Sequence, residues 1–170
     1  MAISVTELEA DFPNLKRTGY KVKSSPTPEY NCIAFAVDIE NRWWDNTRRP
    51  RTYWPEGVPD DGRIDSLQRL FELQGYTECS DHQVEIGFTK VALYATPDRQ
   101  WTHAAKQLRN GRWLSKCGKG HDIEHSLRGL ESAAYGTATK FLRRALETRG
   151  LLEWLSVRII QVIARCVLGR

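Results

Sequence analysis

The chain has 170 residues, 41% of them hydrophobic and 27% charged, with a net charge of +4. Those proportions fit one globular domain with a real hydrophobic core, and they exclude low-complexity, collagen-like and disulfide-scaffold classes. Four cysteines without a CxxC pair, behind a start (MAISVTELEADFPN) that carries acids and no long apolar run, point to reduced thiols in a cytoplasm, although a leaderless secretion route would leave no mark.

In chain order, Ser4 and Glu7 have capping-box spacing, which predicts a short helix that stops by Pro13. The polar stretch from Thr18 to Pro28 reads as an extended lead-in. Asn31 is a good N-cap, and Cys32, Ile33, Phe35, Ala36 and Ile39 follow at helical spacing, so a short buried helix is expected there. From Asn41 to Pro59 the aromatics Trp43, Trp44, Tyr53 and Trp54 stand among Arg and Pro, as in a packed loop that walls a cleft. Ile64, Leu67, Leu70 and Phe71 form a second helical stripe, closed by Gly75.

After Gly75 the period changes. Val91 to Tyr94 predicts a buried strand, and Trp101–Leu108 with Arg112–Cys117 predicts a hairpin around Asn110-Gly111. A two-residue turn sets Arg109 opposite Arg112, which brings His103 opposite Gly118 with Lys116 on its face. From Thr137 the chain reads as helix again. The expected class is therefore α+β: N-terminal helices packed on a small antiparallel sheet. Residues 1–148 form that domain. Residues 149–170 form an amphipathic helix with Leu151, Leu152, Leu155, Ile159, Val162, Ile163 and Cys166 on one face. Its Arg158 and Arg165 make it a poor membrane span, so packing on its own domain or a homodimer is expected.

The chemistry centres on Cys32 and His103. A cysteine in the first turn of a helix meets free N–H groups and the positive end of the dipole, both of which favour thiolate. The same N–H groups suit an oxyanion. His103, on a strand under that helix, is the expected base. Asp122 or Glu124, reaching in from the loop after the hairpin, is the expected orienting acid, with Gln107 or a backbone carbonyl as the other options. Asn31, Trp44, Trp101 and Gln107 are the expected substrate contacts, while the tryptophans equally suit core packing. Cys117, His121 and His125, with Cys79 and His82, offer a rival zinc reading, but Gly118 and Gly120 oppose a helix there, and no metal or other cofactor is expected.

The segment YNCIAFA resembles the nucleophile segment of bacterial papain-like amidohydrolases, including the CHAP type. That resemblance implies a papain-like fold in which Cys32 opens a helix and His103 lies on the first strands of the sheet. The segments YNCIAFA, GFTKVALYA, WTHAAKQLRNGRWLSKCG, DIEH and YG, from Tyr30 to Arg144, resemble a bacterial domain family of unknown function. The expected function is cysteine hydrolysis of an amide in a peptide, a peptidoglycan stem or a protein side chain. The alternative is a non-catalytic binding domain of the same fold in a toxin, immunity or defence system. The basic balance, concentrated in C-terminal arginines, gives no strong nucleic-acid signal.

Overall fold

The computed structural model describes residues 5–47 and 50–147. The helices are α1 (Val5–Asp11), α2 (Pro13–Thr18), α3 (Cys32–Ala36) and α4 (Ile64–Leu73), with a 3-10 turn at Leu127–Leu130. The strands are β1 (Tyr20–Val22), β2 (Trp43–Trp44), β3 (Thr52–Tyr53), β4 (Thr77–Cys79), β5 (Phe88–Ala95), β6 (Trp101–Gln107), β7 (Trp113–Lys116), β8 (Asp122–His125) and β9 (Thr137–Ala145). Seven of them form one antiparallel sheet in the order β1-β8-β7-β6-β5-β9-β4, while β2 and β3 make a small parallel ribbon.

The sheet is covered on both faces. Alternation along β5 sends Val91, Leu93 and Ala95 to one side, where they meet Ile33 and Phe35 of α3 and Leu67, Leu70 and Phe71 of α4. Ala92 and Tyr94 go to the other side, against Leu8, Phe12 and Leu15 of the first two helices. Burying Ile64, Leu67, Leu70 and Phe71 of α4, all fully enclosed, contributes up to roughly 1.5–3 kcal/mol per side chain.

This architecture corrects the papain-like expectation. The molecule is mostly a seven-stranded antiparallel sheet with a few short helices divided between its faces, not a helical layer on a small sheet. Residues 137–145, expected as helix, form the strand β9, paired with β5 and β4. Their Ala, Lys, Leu and Arg favour helix locally, and pairing on both edges overrides that preference. Asp122 and Glu124, expected in a loop, lie on strand β8. Pro13 starts α2 rather than only ending α1, its missing N–H being harmless at a first helical turn. The predicted C-terminal helix lies outside the described residues.

The β6–β7 connection differs from expectation by one residue, with large consequences. Lys106 pairs with Leu114 and Gln107 with Trp113. Leu108 N–H donates to the Arg112 carbonyl, and Gly111 N–H donates back to the Leu108 carbonyl. The loop therefore holds three residues, with Gly111 at φ +85, the turn-plus-bulge form rather than the two-residue form. Since faces alternate, this shift sends Lys116 to the α3 face and Cys117 to the face of His103.

The tightest backbone approach is at Gly136, φ +67, where a Cβ would lie 1.9 Å from the Ala95 carbonyl oxygen. Gly57, φ +78, has open space at the same position. In denaturant unfolding, Gly57→Ala is expected to cost about 1–2 kcal/mol for its left-handed backbone alone. Gly136→Ala must also displace backbone and should cost clearly more. Equal losses would contradict the close approach.

Candidate active site around Cys32

Cys32 is the first residue of α3. Asn31 caps that helix, its side-chain oxygen accepting from Ala34 N–H at 3.3 Å. The same oxygen accepts from Trp44 N–H at 3.1 Å, and the amide donates to the Trp44 carbonyl at 2.6 Å. Asn31 is thus a buried clamp between the helix start and the aromatic loop. The backbone N–H groups of Ala104, Ile33 and Cys32 itself favour the thiolate, and the Lys116 charge adds to their effect. Burial is the larger influence and pushes the thiol up to about 11. Cys32 is 8% exposed.

His103 is fully buried on the face opposite α3. Its ring stacks on Tyr135 at 4.3 Å and meets Tyr94 edge-on at 5.5 Å. Neither ring nitrogen has a hydrogen-bond partner among the described residues, so no Cys32–His103 hydrogen bond is formed. Burial, then the neighbouring His125, hold this imidazole well below its ordinary value and therefore neutral. The alternation that turns Ala104 toward α3 keeps the adjacent His103 on the far side of the sheet from the sulfur.

The expected acids are placed elsewhere. Asp122 lies on the α3 face, where one carboxylate oxygen accepts from the Tyr30 hydroxyl at 2.8 Å and the other has no partner among the described residues. Glu124 is held by Arg112 at 3.1 Å and Lys23 at 3.6 Å. Neither carboxylate orients His103. Gln107 donates to the His82 carbonyl at 2.6 Å. Trp44 is buried against Tyr53, and Trp101 stacks on Trp54 at 6.2 Å, so both serve packing here.

Sequence reasoning passed over Lys116, Tyr30 and Tyr135. Lys116 is 0% exposed. It donates to the Gly120 carbonyl and sits 5.3 Å above the Tyr30 ring. Tyr135 closes over His103, its carbonyl taking the Thr102 hydroxyl at 2.5 Å. The available signal was a lysine between apolar and small residues in a strand (WLSKC), which an exposed lysine does not need. The rival metal residues stay apart: His121 bonds the Ser24 carbonyl, and His125 bonds Ser115 and the Ser126 carbonyl. No group of three suitable ligands occurs among the described residues, and none of their helices is long and apolar enough to cross a membrane.

The buried histidines give a pH prediction. Burial chiefly lowers His125 to about 4, and His103 is lowered too. In the unfolded chain both titrate near 6.5. Above that pH the pair leaves stability unchanged. Below it the unfolded chain gains protons that the fold refuses, so stability falls as pH drops toward 4. For His125 the loss is on the order of 3 kcal/mol. Urea unfolding at pH 7, 5.5 and 4.5 should show this decline, shallower in His125→Gln. Parallel declines would contradict it.

The DIEH strand, the β5–β6 ladder and the Cys32 helix all fall within the part of the chain that a family model recognises. That model, described as a domain of unknown function (DUF7689), matches residues 21–143. No curated protein and no solved structure matches the chain. The chain belongs to this family of domains of unknown function, which spans its whole candidate site.

Proposed function

We propose that the domain carries out thiol-based hydrolysis or transfer of an acyl group from an amide, with Cys32 as the nucleophile. The observation that supports this most is the setting of the sulfur. It sits at the first position of a capped helix, where backbone N–H groups favour the thiolate, and it shares its sheet face with a buried Asp122 oxygen that has no partner among the described residues. Buried polar atoms without partners are costly, and they gather at sites that await a partner. The short likeness of YNCIAFA to CHAP-type amidohydrolases supports the same chemistry without the fold.

In this reading the resting thiol is protonated. The thiol gives its proton to water as Cys32 attacks the carbonyl carbon, since His103 lies on the opposite face of the sheet. The helix N–H groups receive the developing oxyanion. Water returns the proton to the leaving amine, and water, or an acceptor amine, releases the acyl group. An amide in a peptide, a peptidoglycan stem or a protein side chain meets these requirements.

A second reading is a non-catalytic binding domain, which would accommodate a place in a toxin, immunity or defence system. The enclosed thiol favours it. Iodoacetamide labelling at neutral pH, followed by mass spectrometry, separates the two. The hydrolase reading expects Cys32 to alkylate before the half-buried Cys79 and the buried Cys117. Cys79 reacting first, with Cys32 protected until the chain unfolds, would favour the binding domain.

A further inference from the structure

Lys116 is a fully buried cation on the same sheet face as α3. No carboxylate lies within ion-pair distance of it among the described residues: the nearby Asp122 gives one oxygen to Tyr30 and leaves the other unpartnered. Its nitrogen is anchored by the Gly120 carbonyl and by the face of Tyr30, two residues before Cys32. A desolvated ammonium without an ion-pair partner is expensive to keep, and a structural role would be met as well by an apolar chain of similar length. The fold instead holds the charge against the segment that carries the sulfur.

We propose that Lys116 is a positioning residue for Cys32: its ammonium, brought to the α3 face by the three-residue β6–β7 loop, holds the sulfur in its ionised form once the proton has left. The inference rests on the thiol reading above, yet it concerns a coupling between two groups that is measurable without turnover. Cys32 lies in the field of Lys116, and Lys116 in turn in those of Asp122, then Cys117, then Cys32. Burial outweighs these attractions and lowers the lysine from its ordinary value, while it raises the thiol.

The test follows iodoacetamide alkylation of Cys32 in the full chain and its variants. Lys116→Met should slow Cys32 alkylation at pH 8 by about tenfold while Cys79 is unaffected. Lys116→Gln, which keeps a donor for the Gly120 carbonyl without the charge, replaces it if Lys116→Met fails to fold. Alkylation unchanged in a folded variant overturns the proposal. A coupled Lys116 beside a Cys32 that never labels ahead of Cys79 would leave this inference standing and sink the hydrolase.

Discussion

One residue of register in the β6–β7 hairpin decides which side chains meet Cys32. The three-residue loop with Gly111 in the left-handed region puts Leu114 and Lys116 on the α3 face, and Trp113, Ser115 and Cys117 on the other. A two-residue turn would exchange the two sets, because side chains alternate strictly along a strand. Trp113 would leave the core it fills, and Lys116 would enter it. The apolar pattern of β7 therefore fixes the register, and the register places Lys116 on the face that carries the thiol.

The site is a concentration of polar groups in a sheet whose two faces are otherwise apolar. Tyr30, Lys116 and Asp122 are enclosed on one side of it, His103, Ser115 and His125 on the other. Ser115 and His125 satisfy each other at 2.8 Å. His103 and one oxygen of Asp122 do not find partners. β5 shifts register against β6 and against β9 at Leu93–Ala95, beside His103. Such irregularities re-aim side chains at sites. Here they accompany the Gly136 approach that lays Tyr135 over the imidazole.

Much of this was legible in the residues. The Asn31 cap, the stripe of α4 and the β5, β6 and β7 strands follow from local chemistry, because cap, period and turn residues act within a few positions. The strand at 137–145 was not legible, since its composition favours helix and only its two neighbours make it extended. The loop length at Asn110-Gly111 was not legible either: Asn-Gly suits both the two- and three-residue forms, and the choice between them is made by the packing of Trp113. With it went the partner of Cys32, so that His103 was expected beside the sulfur and Lys116 was read only as a neighbour of the histidine. Asp122 was expected to orient His103, whereas it accepts from Tyr30, which is brought to it by a contact 92 residues away in sequence.

The central claim is that the sheet holds Cys32 and His103 on opposite faces, with no hydrogen bond between them. Imidazole ¹⁵N NMR of His103 across pH, in the parent chain and in Cys32→Ser, tests it most directly. The account predicts that the His103 and His125 nitrogen shifts and midpoints stay the same when the sulfur is replaced. A His103 midpoint that moves in Cys32→Ser would contradict it.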